Sequence, residues 1–409
     1  MKLKTTILAV AAAIAACTAM SDVSVEDVKC IQRYPWNGLV DIEYTIACDD
    51  QEAEIYVNPV GFNGDTGLTV FPTHFTGDGA TNTVKAGKHT MVWDAKADMG
   101  NLFASKNFQI KMYAGKTLAP YVVVDLSSGP DGEHFPIRYS LTGPDISDDA
   151  CRTTELWLRL IPPGTFMMGS PSDELGRSDN EDLHKVTITE PFYIGVFEVT
   201  IGQWRKVVGN DVPNGESDVM PMGDKRYHYD IRGYDFDSVY SGSFIGKLIA
   251  KTAKSGFDLP TEAQWEYACR CGTVSALYTG KNLSGSEGCN NLNSLAAYKA
   301  NTSKLQKVGS YEPNGLGLYD MYGNVAEFCR DGSMEHLGWE ALFNPLIRID
   351  SDDKRHRILK GGMRTDPASA CRSAARVSQQ LQNGNIDPVY GSTKREWGFR
   401  ISCPGNLQK

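Results

Sequence analysis

Residues 314–325 read Asn-Gly-Leu-Gly-Leu-Tyr-Asp-Met-Tyr-Gly-Asn-Val, a stretch rich in residues that interrupt helices and strands. The same composition surrounds it, because Gly, Asn, Ser and Pro recur from 279 to 405 too often for long regular elements. A segment with so much loop leaves many backbone groups outside the ladders of helices and sheets. We therefore expect disulfides or bound metal ions to stabilise the C-terminal part of the chain.

Three short helices are predicted before this stretch, each from a start signal. Thr200 with Gln203 and Thr261 with Gln264 form capping boxes, in which each side chain bonds to the backbone amide of the other residue. Ser243 precedes an apolar run with helical spacing. The C-terminal part is thus predicted to combine a few short helices with irregular chain.

The N-terminal part, residues 24–125, has the pattern of an all-β domain. Val40, Ile42 and Tyr44 alternate with polar residues, which is typical of a half-buried strand. Clusters of Gly, Asn and Asp separate such runs, and no helical stripe occurs between them. We predict a small immunoglobulin-like β-sandwich that serves spacing or adhesion. Residues 126–152 are rich in chain-breaking and polar residues and are predicted to be a linker.

The first 19 residues are predicted to be an export signal. Lys2 and Lys4 precede an apolar, alanine-rich run over 7–16, and small residues follow it. The sequence Ile-Ala-Ala-Cys that ends at Cys17 also resembles the lipobox of bacterial lipoproteins, which would place a lipid on that cysteine. We expect an exported protein that is periplasmic, secreted or a cell-surface lipoprotein, with membrane contact only through that lipid.

The charge of the chain argues against nucleic acid as a partner. Its 409 residues carry 41 Lys and Arg side chains against 50 Asp and Glu, a formal net charge of −9. Binding to a phosphate backbone needs an excess of basic side chains on some face, and no run of five or six like charges provides one. At this length, two domains are expected.

Ten cysteines in an exported chain favour disulfides over reduced thiols. Nine remain after Cys17, so at least one is left unpaired. The seven histidines are scattered, with none three to five residues from another, which argues against a zinc site of local ligands.

Six ordered blocks of the C-terminal part resemble the formylglycine-generating enzyme family, also called sulfatase-modifying factors. The resemblance covers residues 153–405 and implies an irregular α+β domain of the C-type-lectin type, rich in loops and stabilised by calcium. The blocks are 161–169 (IPPGTFMMG), 191–200 (PFYIGVFEVT), 259–270 (LPTEAQWEYACR), 314–325 (NGLGLYDMYGNV), 361–362 (GG) with 371–376 (CRSAAR), and 398–400 (GFR).

The chain departs from this family where the enzyme binds copper. The resemblance implies two cysteines in a C-x-x-x-x-C segment after the double glycine, but this chain has only Cys371, with Asp366 at the first position. Soft Cu⁺ prefers thiolates, and a carboxylate is a hard ligand. Met363 replaces a serine of the enzyme, and Ala326 replaces a tryptophan. We therefore expect copper-dependent oxidation to be absent and Cys371 to be a structural residue.

The resemblance also implies disulfide candidates. Cys269 corresponds to a family cysteine whose bonding partner stands at Ser373 here, two residues after Cys371. Cys269–Cys371 is the first expectation, and Cys329–Cys371 is the alternative. In the β-domain, Cys30–Cys48 is a further candidate, although sequence alone cannot fix the connectivity.

A calcium site of the family matches better than the copper site. Position by position, the resemblance implies carboxylates from Asp320 and Glu327 and backbone carbonyls from Gly323 and Val325. Hard oxygens in a loop are the ligands that Ca²⁺ prefers. The alternative is an acidic, solvated loop that holds no ion.

Two functions follow from these expectations. The first is a non-catalytic, calcium-stabilised recognition or scaffold protein that binds an unidentified protein, peptide or glycan. It predicts exposed aromatic side chains, with Tyr227, Tyr229, Trp339 and Trp397 as candidates. The alternative is a formylglycine-generating oxidoreductase that acts on sulfatase cysteines, which requires Cys371 to be a free and accessible thiol.

Overall fold

The computed structural model divides the chain into two compact units, residues 1–120 and 121–409. The predicted export signal and Cys17 lie outside the residues that the structure describes. Those residues are 23–100, 105–209, 212, 217–223, 225, 227–233, 235, 237–332, 338–348, 356–382, 385–386 and 396–407.

The described part of the first unit consists of antiparallel strands and one short helix. Strands β1, β2, β6 and β5 form one sheet in the order β1-β2-β6-β5, and β4-β3-β7 form the other. The elements are β1 (Val23–Gln32), β2 (Leu39–Cys48), β3 (Tyr56–Asn63), β4 (Leu68–Val70), β5 (Phe75–Gly77), β6 (Gly87–Asp94), α1 (Ala95–Met99) and β7 (Phe108–Gly115).

The core of this unit contains buried side chains from both sheets. Ile42 and Tyr44 of β2 are buried, as their alternation predicts, and they cluster with Val57 of β3 and Met112 of β7. Helix α1 was not predicted. Its start signal is Asp94 directly after β6, whose side chain accepts a hydrogen bond from the backbone amide of Ala97 at 2.9 Å. The immunoglobulin type of sandwich stays a prediction.

The second unit is mixed, with many short strands and few helices. Its strands form a five-stranded sheet (β20-β13-β10-β8-β9), a three-stranded sheet (β11-β12-β15) and a second five-stranded sheet (β18-β17-β16-β14-β19). The strands are β8 (Tyr121–Asp125), β9 (Ile137–Ser140), β10 (Glu155–Ile161), β11 (Gly164–Met168), β12 (His184–Ile188), β13 (Phe192–Gly195), β14 (Ala326–Gly332), β15 (Leu342–Phe343), β16 (His356–Lys360), β17 (Arg376–Gln382), β18 (Asn385–Ile386), β19 (Trp397–Gly398) and β20 (Ser402–Pro404). The helices are α2 (Ala150–Thr153), α3 (Ile201–Val207), α4 (Phe244–Thr252) and α5 (Glu262–Arg270), with a π-helix (Tyr227–Ile231) and a 3₁₀ helix (Ala368–Ala370).

The three predicted helix starts are confirmed. Thr200 caps α3 and Thr261 caps α5, each in a complete capping box with its glutamine partner. Ser243 caps α4 through the amide of Gly246. All three capping side chains satisfy amide groups that a helix of this length leaves unbonded at its start.

The predicted linker, residues 126–152, differs from the structure. It contains β9, which pairs with β8, and the start of α2, so it lies inside the second unit. The backbone amide of Leu126 donates to the carbonyl oxygen of Thr154 at 2.7 Å, and that of Phe135 donates to Lys251 at 2.9 Å. The Gly and Pro residues form turns within the unit, and the same composition also occurs in linkers.

In the described part of the chain, no helix is long and apolar enough to cross a membrane.

Candidate functional site

The loop before β14 is fixed by close backbone contacts on two sides. Asp320, Gly323 and Asn324 all have left-handed backbone angles, with φ of 54°, 71° and 58°. A Cβ atom at Gly323 would collide with the carbonyl oxygen of Ala297, so only glycine fits there. The amide of Asn324 donates to that same oxygen at 2.8 Å, and the amide of Gly323 donates to Gly361 at 2.9 Å.

Three buried carboxyl groups surround one arginine beside this loop. Glu327 accepts hydrogen bonds from Arg400 on both oxygens, each at 2.6 Å, and its Oε2 also accepts one from the Trp265 indole at 2.8 Å. Glu198 accepts from the Asn324 side chain at 2.7 Å and from the Val325 amide at 3.1 Å. We call Glu198, Asp320, Glu327 and Arg400 the acidic cluster; each is at most 2% exposed.

Burial dominates the electrostatics of the acidic cluster. It raises the pKa of Asp320 to about 6, with a further contribution from Glu327. Burial also raises the pKa of Glu198 well above its ordinary value, and the neighbouring Asp320 and Glu327 raise it further. Because three acidic groups face one guanidinium, burial favours the neutral acid forms of Asp320 and Glu198.

The predicted calcium ligands lie in this region. Asp320 carries its carboxyl group in the cluster and accepts a hydrogen bond from the Gly309 amide at 2.6 Å. Glu327 is held by Arg400, which the sequence reasoning did not foresee, and its Oε1 retains a lone pair for a cation. Among the described residues, no group of three or more His, Cys, Asp or Glu side chains is arranged to hold a metal ion. A cation here would therefore depend on backbone carbonyls as well as on the carboxylates.

The segment after the double glycine places Asp366 near Cys371. The backbone amide of Met363 donates to Asp366 Oδ2 at 3.0 Å, so this carboxyl group closes its own turn. Cys371 has no exposed surface, and burial raises the pKa of its thiol, with Asp366 adding to the effect. A Cβ atom at Gly362 would lie 2.9 Å from the Cys371 sulfur, so the second glycine makes room for the thiol.

The second departure from the family pattern lies on β14. Ala326 is 5% exposed, and its backbone amide donates to the carbonyl oxygen of Glu396 at 2.9 Å. It is paired in register with Trp397 of β19. A methyl group fills a position where the resemblance implies an indole ring.

The disulfides predicted for this domain are not present among the described cysteines, which are all free. Cys269 lies where the resemblance places it, with its sulfur 3.7 Å from the Ser373 hydroxyl oxygen, which is also 2.7 Å from the Tyr322 hydroxyl. Burial raises the pKa of Cys269 to about 11. Cys371, the first expected partner of Cys269, caps the end of the 3₁₀ helix, and its sulfur lies next to Gly362.

The other two disulfide candidates are not formed in the structure either. Cys329 is a free, buried thiol on β14. In the first unit, Cys30 of β1 lies opposite Ile42 of β2, whereas Cys48 lies opposite Val23. The two cysteines are therefore separated by six or more positions along the paired strands, on the order of 20 Å at about 3.3 Å per residue.

Buried ion pairs that the sequence reasoning missed hold the rest of the domain around this site. Arg372 donates to Glu174 at 2.6 Å and to Glu181 at 2.7 Å, and Lys360 donates to Glu266 at 2.9 Å. The signal was available, because Arg372, Glu266 and Arg400 all stand in the blocks that carry the resemblance. Nothing in a single sequence shows which acidic residue each base meets.

Only two of the four candidate recognition aromatics are exposed. Trp339 is 70% exposed and Tyr229 is 41% exposed. Tyr227 and Trp397 are buried and pack edge-on against Phe328, so they belong to the core. Large aromatic side chains serve cores and binding surfaces alike, which is why sequence alone could not separate them.

Residues 146–400 match the model of the sulfatase-modifying factor enzyme 1-like domain family. The chain is 26% identical to the formylglycine-generating enzyme of Mus musculus over 261 residues, covering 53% of this chain and 69% of that protein. It is 33% identical to the formylglycine-generating enzyme of Bos taurus, covering 53% of this chain and 68% of that protein. It is 27% identical to the chaperone protein LppX of Paenibacillus barcinonensis, covering 43% of this chain and 70% of that protein.

Proposed function

Because the chain belongs to the family of sulfatase-modifying factor enzyme 1-like domains, we propose that it is an exported, non-catalytic member that serves recognition or scaffolding. Its second unit would be a C-type-lectin-type frame stabilised by calcium, with a protein, peptide or glycan as ligand. Membership alone does not decide the activity, since chemistry depends on the site and not on the fold.

The observation that carries this proposal is the state of Cys371. Two-thiolate binding of Cu⁺ needs a second sulfur, and the group five residues earlier is the carboxyl of Asp366. Cys371 itself is fully buried, and its raised pKa disfavours the thiolate form that would bind metal or attack a substrate. This donor set does not fit copper, so we derive no step through that metal.

The acidic cluster supports the calcium part of the proposal. Ca²⁺ bound by Asp320, Glu327 and the carbonyl oxygens of Gly323 and Val325 would stabilise the ionised carboxyl groups that burial otherwise disfavours. Glu198 would take part indirectly, because it holds the amide of Val325 and the side chain of Asn324 in place. The exposed Trp339 is a candidate for the recognition surface.

An activity assay tests the non-catalytic part. The purified protein is incubated with Cu⁺ and a peptide that carries a sulfatase cysteine motif, beside a formylglycine-generating enzyme as the positive control. We expect no aldehyde by mass spectrometry and no stoichiometric copper binding. Aldehyde formation would establish the alternative, a formylglycine-generating oxidoreductase, and counting of reactive thiols on the native protein would then show Cys371 to be accessible.

Calorimetric titration with Ca²⁺ tests the stabilising ion. We expect the wild-type protein to bind Ca²⁺ and Asp320→Asn to lose this binding. The control Asp173→Asn, which changes an exposed carboxyl group, should bind like the wild type. Equal binding by all three proteins would place the ion elsewhere, and no binding by any of them would remove calcium from the proposal.

A further inference from the structure

A small cavity in the second unit is lined by residues that belong to neither of the sites described above. Its volume is about 10 Å³, near the minimum for one water molecule. The polar side chains that line it are His184 of β12, Glu262 of α5 and Asp331 of β14. The remaining lining is apolar and comes from Met168, Ala263, Leu342, Pro345 and Ile347.

His184 is the unusual member of this lining. It is 1% exposed, and its Nε2 is buried without a hydrogen-bond partner in the described part of the chain. Its Nδ1 lies 2.8 Å from the carbonyl oxygen of Asp182. A carbonyl only accepts, so Nδ1 carries the proton. Nε2 of the neutral ring is then an acceptor for which the described residues provide no donor. Leaving a buried acceptor unsatisfied is costly, and the cavity beside it has room for a water molecule.

The two carboxyl groups of the cavity differ in the ion pairs and hydrogen bonds that they form. Glu262 binds Arg376 through both oxygens, at 2.8 and 2.9 Å, and has Lys360 at 3.8 Å. Asp331 has no ion pair among the described residues, and its oxygens accept the backbone amides of Glu262 at 2.7 Å and Ile347 at 2.9 Å. Each of these oxygens keeps one lone pair. Asp331 is therefore the carboxyl group with capacity for a water molecule.

We infer that one water molecule occupies this cavity and bridges His184 Nε2 to the carboxyl group of Asp331, so that the two side chains share a proton. In one state Asp331 is protonated and His184 is neutral. In the other the proton has moved through the water, leaving an imidazolium and a carboxylate. No atom is gained or lost between the two states, and the water donates and accepts in both.

Charged groups of both signs surround the carboxyl groups of this cavity. Glu262 and Cys329 are the acidic groups near Asp331, and the positive charge of Arg376 acts against the effect of Glu262 on the Asp331 carboxyl group. Lys360 lies close to both Glu262 and Cys329. Burial raises the pKa of Asp331 to about 7, and the neighbouring Glu262 raises it further. The position of the proton sets the strength of the two backbone hydrogen bonds, because a carboxylate accepts more strongly than a carboxylic acid. The position of the proton therefore affects the hydrogen bonds by which Asp331 holds the start of α5 and the backbone of residue 347.

The test follows the carboxyl carbon of Asp331 by NMR as the pH is raised. His184→Asn keeps an N–H donor for the Asp182 carbonyl but removes the Nε2 acceptor. Asp173→Asn, which changes an exposed carboxyl group, is the control. We expect the titration midpoint of Asp331 to rise by at least one pH unit in His184→Asn and to stay unchanged in the control. Equal midpoints in the wild type and His184→Asn would overturn the proposal.

A crystal structure of the unaltered protein tests the same proposal without any variant. We expect one ordered water within hydrogen-bond distance of both His184 Nε2 and Asp331. A dry cavity would overturn the proposal even if His184→Asn failed to fold.

Discussion

The loop of residues 320–327 and the segment of residues 361–371 are bonded to each other, but they retain the family pattern to different degrees. The amide of Gly323 donates to Gly361, and that of Arg364 donates to Asn324. The loop has both carboxyl groups that the resemblance implies, whereas the segment has one of the two implied thiols.

The difference follows from how each residue is satisfied. In the acidic cluster, Glu327 and Arg400 are buried and bonded to each other, so a change in one leaves a buried charge without its partner. In the segment, Asp366 closes its own turn through the Met363 amide and needs no second side chain. A ligand can therefore be exchanged in the segment at little cost, while the cluster resists single changes.

Breaking the cluster should have the largest effect. Arg400→Met removes the base that meets Glu327 and that also donates to the Gly195 carbonyl at 2.8 Å. We expect the free energy of unfolding to fall by about 3–5 kcal/mol in chemical denaturation, because an uncompensated carboxylate stays buried. Lys299→Met, which breaks the exposed pair with Glu287, is the control and should change it by less than about 1 kcal/mol. A similar small loss for Arg400→Met would mean that the cluster is not constrained by charge.

Adding a thiol near the segment should have the next largest effect. Ser373→Cys places a second sulfur beside Cys269, across a contact that is now 3.7 Å between sulfur and oxygen. A disulfide between them would close a loop of roughly 100 residues and stabilise the oxidised protein by up to about 4 kcal/mol. Denaturation with and without reductant measures this gain.

The reduced form of that variant is its own control. It should be slightly less stable than the wild type, because the hydrogen bond between Ser373 and Tyr322 is lost. Absence of a disulfide under oxidising conditions would contradict the expected proximity of the two positions.

Calcium and pH test the charge balance of the cluster. The folded-state pKa of Asp320, about 6, lies above the value near 3.9 of the unfolded chain, so the folded state binds more protons between them. Without calcium, stability should therefore fall as the pH rises from about 4 to about 6, by up to roughly 3 kcal/mol. Ca²⁺ in excess should remove this slope, since it favours the carboxylate in the folded state. Thermal unfolding at several pH values, with Ca²⁺ or with a chelator, measures the slope, and identical slopes in both would contradict the proposed ion.

Local signals predicted local structure well in this chain. Thr200, Ser243 and Thr261 each mark a helix start because a cap depends on residues within three positions. The composition of residues 126–152, by contrast, could not distinguish a linker from turns, since turns and linkers use the same residues.

The sequence predicted the candidate site only where the position of a residue within a block of the resemblance determines its neighbours. The resemblance placed Cys269 beside Ser373, and the two are in contact. It did not place Cys371, whose orientation depends on the 3₁₀ helix at Ala368–Ala370. Glu198 is 126 residues from Asn324 in sequence, and the bonding of Arg400 to Glu327 spans 73 residues. Such long-range pairings depend on the tertiary fold, and they cannot be predicted from a single sequence.

The smallest change in stability is expected for Asp366→Cys, which is also the sharpest test of the comparison. The carboxyl group is only partly buried, and its main bond is to the amide of Met363, so its loss should cost no more than about 1 kcal/mol. The variant would provide two sulfurs five residues apart in the segment, the set that soft Cu⁺ prefers. We therefore expect stoichiometric Cu⁺ binding by Asp366→Cys, measured by competition with a chromogenic chelator, and none by the wild type. Asp366→Ser removes the carboxyl group without adding a thiol and should not bind. If Asp366→Cys also failed to bind while remaining folded, the burial of Cys371 and not the missing thiol would be what separates this segment from the copper site that the resemblance implies.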